Sequence, residues 1–171
     1  DCEQVVLAAG PWSGQLVRCL NLDLPVEPLK GELLRMKLPG FRLPCDFIGN
    51  GFSIYAKTDG LIWCGTTEEW RGFDRKPSNS ARVSILKGAM RILPEIAKAE
   101  LIKHTACLRP MTTDEMPVIG RAPGWDNVFL ATGAGRKGIL LSTGMGKSIA
   151  DLLTVRTTEI SIEHCSPERY G

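Results

Sequence analysis

The apolar, β-rich run Val128-Phe129-Leu130-Ala131-Thr132 empties directly into Gly133-Ala134-Gly135-Arg136-Lys137-Gly138-Ile139 and then into a stretch of helical character. A strand that ends in glycines and opens a helix must turn tightly. Glycine supplies the backbone freedom for that turn, and its missing Cβ lets the main chain lie close to a flat or phosphorylated ligand. Gly133, Gly135 and Gly138 satisfy Gly-x-Gly-x-x-Gly, the spacing of a dinucleotide fingerprint. A Rossmann unit places that spacing at the start of a βαβ, however. Here Ile160 and Ile162 would have to form the next strand, with Glu163 after it, and no further sheet follows. Three readings stay open: a pyrophosphate cradle, a structural turn, and a backbone shelf against a cofactor ring, the last of which is favoured.

Two arginines flank this segment. Arg109 follows an apolar run and precedes Pro110, so its guanidinium is expected to leave a sheet at a loop, while Arg136 lies inside the glycine cluster. A guanidinium is a planar fork of donors that grips a carboxylate bidentately. Against this stands the plainer reading of a surface arginine. Asp114-Glu115 reads as a solvated turn, with Thr112 and Glu115 as a capping box. Gly146-Lys147-Ser148 imitates the end of a P-loop, but the required first glycine falls on Leu141 and the segment lies within a helix, so Lys147 is expected to be a solvated helix residue.

Composition closes off other chemistries. A net charge of +2 with 23% charged residues carries no basic stripe of the kind nucleic acid demands. No apolar run approaches the roughly 20 residues of a membrane helix, and no signal-peptide pattern is present. Six scattered cysteines without a Cys-x-x-Cys, and only His104 and His164, do not assemble a zinc site or a histidine-centred triad. Reduced thiols in a cytoplasmic protein are the expectation.

Along the chain, Val5 to Ala8 reads as a buried parallel strand and Trp12 to Leu20 as a helix behind Pro11. A buried strand preceded by three residues suggests a piece of a longer protein. Lys30 to Lys37 reads as a strand. Gly49-Asn50-Gly51 joins strands at 46–48 and 52–56, and Asp59-Gly60 leads into Leu61 to Cys64. Ser78-Asn79-Ser80 caps a helix whose apolar stripe is Val83, Leu86, Met90 and Leu93. Glu100 to Leu108 returns to β character, Ile139 to Leu153 is a long helix that Gly144 and Gly146 let pack on something flat, and Ser166 to Gly171 reads as a frayed tail.

The ordered motifs Leu108-Arg109-Pro110-x-Thr-x-Asp114-x-x-Pro117-x-Ile119-Gly120, Val128 to Gly133 and Arg136-x-Gly138-Ile139-Leu140-Leu141 together resemble the C-terminal part of the D-amino-acid oxidase family of flavoenzymes, in particular its glycine oxidase-like and sarcosine oxidase-like members. The similarity extends to Val5-Val6-x-Ala8-Ala9-Gly10-x-Trp12-Ser13, to Pro28-x-Lys30-Gly31-Glu32 and to Asp59-Gly60 with Gly65-x-Thr67. The resemblance implies an α+β fold in which residues 26–117 form an antiparallel-sheet substrate domain, residues 1–25 and 118–157 are C-terminal pieces of a Rossmann-like FAD domain, and 158–171 are a tail. It implies FAD as cofactor, with Gly133, Ala134, Gly135, Arg136, Lys137, Gly138, Ile139 and Leu140 along the flavin ring, and Arg109 and Arg136 on the carboxylate of a small amino acid. The N-terminal half of the FAD domain would be a missing partner, so the segment alone is expected to be inactive. Cys107 falls where sarcosine oxidase-like members attach flavin, but those lack the Arg109-Pro110 pair, so non-covalent FAD and a buried thiol are expected. Ser53 stands where glycine oxidase-like members carry a substrate-facing tyrosine, with Tyr55 pointing elsewhere. A nicotinamide domain would instead need a parallel sheet around 128–162, and a non-catalytic module would separate the two arginines.

Overall fold

A computed structural model describes residues 2–170. The elements are β1 (Val5–Leu7), α1 (Ser13–Leu16), β2 (Val26–Lys37), β3 (Phe47–Gly49), β4 (Phe52–Ala56), β5 (Ile62–Gly65), β6 (Glu69–Trp70), α2 (Asn79–Ile92), β7 (Glu100–Thr112), β8 (Val118–Arg121), β9 (Val128–Thr132) and α3 (Gly138–Thr154), with several short 3-10 turns. Two compact units share them. One comprises the chain up to Leu29 together with the chain from Arg109 onward, and the other is Lys30–Leu108.

The first unit is built on a three-stranded sheet in the order β1-β9-β8. β9 pairs in parallel with β1, Val6 opposite Phe129, and antiparallel with β8, Gly120 opposite Leu130. Because side chains alternate across a strand, β9 feeds two cores. Val128 and Leu130 join Val17, Leu24, Val26 and Val118 on one face. Phe129 joins Ile119 and Ile149 of α3 on the other. That double burial is why the run from Val128 to Thr132 reads as continuously apolar. β1 is only half-buried.

The second unit is an antiparallel sheet in the order β3-β4-β5-β2-β6, with β7 also paired to β2. Its buried face carries Leu34, Cys64 and Ile54, aligned by register, under Ile85 and Ala89 of α2. Burial pushes the Cys64 thiol up to about 12. On the opposite face the register aligns Arg35, Trp63 and Tyr55, with the Arg35 guanidinium 4.5 Å and the Lys57 ammonium 4.8 Å from the Trp63 ring centre.

Several expectations need correction. The helix behind Pro11 is broken into a 3-10 turn, the single turn α1 and a second 3-10 turn that ends at Asn21 in the left-handed conformation. Ser78 does cap α2, its Oγ accepting from the Ala81 N–H at 3.2 Å. Of the expected stripe, Leu86, Met90 and Leu93 pack partly buried against the core and Val83 is exposed, while the fully buried positions of α2 are Ala81, Ile85, Gly88 and Ala89. A helix buries the face its neighbour can approach most closely, and here the Phe52 ring lies where a Cβ on Gly88 would stand, 2.2 Å away. Tyr55 shares a sheet face with Ser53, since residues two apart on a strand point the same way. Among the described residues no strand forms at Ile160 or Ile162. Residues 166–170 are not frayed, since Pro167 is buried and Arg169 and Tyr170 bind Asp114, and Gly171 lies outside the described residues. Cys107 is exposed rather than buried.

Candidate functional site

The glycine cluster lies in the first unit, where β9 ends. An isolated antiparallel bridge joins Met111, near the end of β7, to Ala134. Gly133 and Gly135 both adopt left-handed φ, +73° and +51°. A Cβ on Gly133 would stand 2.6 Å from Thr112 Cγ2, and one on Gly135 would stand 2.9 Å from Met111 Sδ and 3.8 Å from the Pro110 carbonyl. Both glycines are therefore demanded by the turn and by close packing on the end of β7. That contact sets Pro110 beside Gly135, so the backbone following Arg109 runs next to the backbone preceding Arg136. Gly138 is different. A Cβ there would meet nothing closer than Ala134 Cβ at 3.8 Å, and Gly144 and Gly146 face open space. Among the described residues, then, nothing flat packs against the two helix glycines.

α3 begins at Gly138 with Lys137 as its N-cap and no capping side chain, so its first-turn N–H groups are left to other partners. The two residues that follow are apolar and outward-facing, Ile139 at 95% and Leu140 at 77% exposure. Consecutive exposed apolar side chains beside uncapped helix donors form a surface suited to a flat ring with an electron-rich edge. The residues present thus fit an isoalloxazine group, held through backbone donors and aliphatic contact. A groove of about 360 Å³ runs alongside, lined among others by Glu115, Met116, Lys137, Leu141 and Met145. The P-loop-like Gly146-Lys147-Ser148 is inside α3, and Lys147 binds Asp151 one turn on at 2.7 Å.

The turn at 112–117 is the largest departure from expectation. Asp114 and Glu115 do lie in a solvent-exposed turn, but no capping box forms with Thr112, and both carboxylates have side-chain partners. Asp114 accepts from Arg169 Nε and from the Tyr170 hydroxyl, both at 2.7 Å. The Arg169 guanidinium, with the Tyr170 hydroxyl and the Met116 N–H, holds its carboxyl well below the usual carboxylate range. The Thr112 hydroxyl donates to the Met116 carbonyl at 2.8 Å. Glu115 has φ +58°, and its Oε1 lies 3.0 Å from Arg136 Nη1.

Two further groups of motif residues have partners that sequence reasoning missed. The buried Ser13 hydroxyl donates to Thr132 Oγ1 at 2.8 Å, and the Thr132 hydroxyl reaches the Gly10 carbonyl at 3.0 Å, tying the Ala9-Gly10 turn to the end of β9. In the second unit, Lys30 and Glu32 are both buried. Lys30 Nζ meets Asp74 at 2.8 Å and Glu32 at 3.1 Å, Glu32 accepts from the Ser78 N–H at 2.8 Å, and His104 Nε2 lies 2.7 Å from Glu32 Oε2. Burial pushes the Glu32 carboxyl up, but the Ser78 N–H and the Lys30 ammonium pull it further down, below its ordinary 4.5. The Glu32 N–H in turn donates to Thr67 Oγ1. A buried charge needs such partners. The lone signal in the sequence was a Lys and a Glu two apart on one face of a strand otherwise rich in apolar residues.

The FAD-dependent oxidoreductase family matches residues 1–152. The chain belongs to that family. It is 38% identical to the glycine oxidase of Pseudomonas aeruginosa over 154 residues, covering 90% of this chain and 42% of that protein. Among solved structures it matches glycine oxidase from Geobacillus kaustophilus with a TM-score of 0.91 at 33% identity, over 96% of this chain and 45% of that one. It matches iminodiacetate oxidase from a Chelativorans species with a TM-score of 0.92 at 26% identity, over 98% and 46%. The mixed fold with its antiparallel sheet is thus that of glycine oxidase-type flavoenzymes, and the chain spans less than half the length of these relatives. The nicotinamide alternative has no support, because β9 has an antiparallel neighbour in β8 and no strand follows α3 among the described residues.

Proposed function

We propose that this chain supplies the substrate domain and the ring-facing edge of an FAD-dependent enzyme that oxidises the C–N bond of a small amino acid. The observation that carries this reading is the pairing of Met111 with Ala134, which sets the strand end bearing Arg109 against the glycine turn that opens α3. The glycine oxidase relationship supports an amino acid as substrate, and the iminodiacetate oxidase neighbour supports a secondary amine as an alternative.

FAD, when bound, supplies the acceptor for the hydride that leaves the α-carbon. Gly133 to Leu140 present the ring-side backbone and the apolar contact. Arg109, with Arg136, fixes the substrate carboxylate and so orients the α-carbon, and orientation of that kind is worth several kcal/mol of a barrier. The α-amine leaves as an imine. The substrate reacts as its neutral amine, the ammonium proton having passed to solvent, and the nitrogen lone pair then forms the C=N bond as the hydride departs, so no named side chain has to take that proton. FAD is held without a covalent bond in this reading.

The test is steady-state oxidation by the intact protein of glycine, sarcosine and D-amino acids, followed by bleaching of bound flavin under anaerobic conditions. Arg109→Ala is expected to raise KM for the accepted acid at least about tenfold, the scale of a charge-assisted bidentate contact. Unchanged kinetics in that variant would remove Arg109 from the site.

A further inference from the structure

The chain beyond α3 wraps β8, the strand beside the glycine turn. Ile162 and Cys165 pack on the side of Ile119, Phe129 and Ile149, and Tyr170 packs on the side of Val118 and Leu130. Between them Pro167 crosses Gly120, where a Cβ would stand 2.9 Å from Pro167 Cδ. Arg169 fastens this strap. Its Nε donates to Asp114 Oδ2 at 2.7 Å and its Nη2 to the Met116 and Pro117 carbonyls, both at 3.0 Å, while the Tyr170 hydroxyl donates to Asp114 Oδ1 at 2.7 Å. The Arg169 side chain is only 18% exposed, and its planar fork of donors is directed at one short turn.

Both ends of that turn touch Gly133. A Cβ on Gly133 would stand 2.6 Å from Thr112 Cγ2 and 3.3 Å from Val118 Cγ2. The Thr112 hydroxyl donates to the Met116 carbonyl, which Arg169 also binds, and Val118 pairs with Thr132, the residue before Gly133. Close-packed backbone has little slack, so a shift of residues 112–118 is passed to Gly133 and to the bridge between Met111 and Ala134. We propose that Arg169 is a positioning residue for the flavin edge, fixing the 112–118 turn and, through it, the backbone of residues 133–140. This rests on the reading of that backbone given above. Arg169 acts through Thr112, Met116 and Val118.

The experiment compares the intact protein with its Arg169→Ala, Arg169→Lys, Tyr170→Phe, Gly133→Ala and Ile85→Val variants, the last a core change in the second unit that lowers stability without touching the strap. Well below the melting temperature, the dissociation constant and visible spectrum of FAD are measured, and, in the apoprotein, hydrogen exchange at the amides of residues 133–137. Arg169→Ala is expected to weaken FAD binding about tenfold, to shift the flavin bands and to speed that exchange about tenfold, a usual size for coupling between sites. Lysine keeps the charge beside Asp114 but has no fork to span both carbonyls, so Arg169→Lys should weaken FAD binding only about threefold. Ile85→Val should leave all three readouts as they are. Unchanged FAD affinity and exchange in Arg169→Ala overturn the inference, and so does an equal change in Ile85→Val, which would assign the effect to overall stability. If Arg169→Ala does not fold, Arg169→Lys and Tyr170→Phe decide, and native values in both overturn it. If Gly133→Ala leaves the flavin spectrum unchanged, the ring-edge reading and this one fall together. An intact protein that binds FAD through Arg169 as described but oxidises no amino acid loses the proposed reaction alone.

Discussion

Replacing Glu32 with glutamine removes one charge from a buried cluster and changes almost nothing in volume. The carboxylate is inaccessible to solvent, with Lys30 and the Ser78 hydroxyl on Oε1 at 3.1 and 3.0 Å, and His104 Nε2 and the Ser78 N–H on Oε2 at 2.7 and 2.8 Å. Every amide orientation turns its NH2 group toward a donor, the Lys30 ammonium on one side or the Ser78 N–H on the other. Breaking a buried ion pair by removing one partner costs about 3–5 kcal/mol. Lys30 keeps Asp74 at 2.8 Å, and that carboxylate is 44% exposed, so the lower end, about 3 kcal/mol, is expected. At a urea m-value of about 2 kcal/mol/M this shifts the midpoint down by roughly 1.5 M, read by tryptophan fluorescence. The sign of the pH dependence follows from the depressed carboxyl. Its contribution is complete above the ordinary 4.5 and is lost as pH falls through the lower folded value. The gap between native protein and variant should therefore be constant from about pH 7 to 5 and should narrow below that. A gap under about 1 kcal/mol, or one that does not narrow in acid, would refute the description of Glu32 as a buried, ionised hub.

Two other perturbations test the first unit. Arg169→Ala removes the guanidinium from Asp114 and from the Met116 and Pro117 carbonyls, and with Asp114 partly exposed the loss is expected to be about 1–2 kcal/mol, seen as a lower melting temperature and earlier proteolysis after residue 160. The native contribution fades in acid below the ordinary Asp114 value of 3.8, so the variant should differ least there. Gly14→Ala sets a methyl 2.8 Å from the Val26 carbonyl and 2.9 Å from that of Leu24, backbone that cannot swing aside, and is expected to destabilise by about 2 kcal/mol or more in the same urea assay.

Much of the local structure was legible because it depends on neighbours in the chain. The apolar run at Val128 to Thr132, the Asn50-Gly51 hairpin and the Ser78 cap are each specified by a few adjacent residues, and each forms at the expected place. The same holds for the glycine turn, whose left-handed φ at Gly133 and Gly135 is a property of the residue type. The family resemblance was legible for a related reason, since several short motifs in a fixed order specify more than any one of them. What the α2 stripe shows is the limit of periodicity. Leu86, Met90 and Leu93 do pack against the core and Val83 does not, yet the fully buried positions include Gly88, because Phe52, some 36 positions earlier, lies against it.

The partners of charged groups were decided by tertiary structure alone. Lys30 and Glu32 are separated from Asp74, Ser78 and His104 by long stretches of chain, and Asp114 from Arg169 by 55 residues. A charge is indifferent to sequence distance and is satisfied by whatever the fold brings within about 3 Å. Sequence therefore determined which residues could turn, cap or form a strand. Only the folded chain decided that Glu115 would meet Arg136, that the C-terminal residues would grip Asp114, and that Met111 would lie across from Ala134, because those meetings depend on how separate elements pack and not on anything written between them.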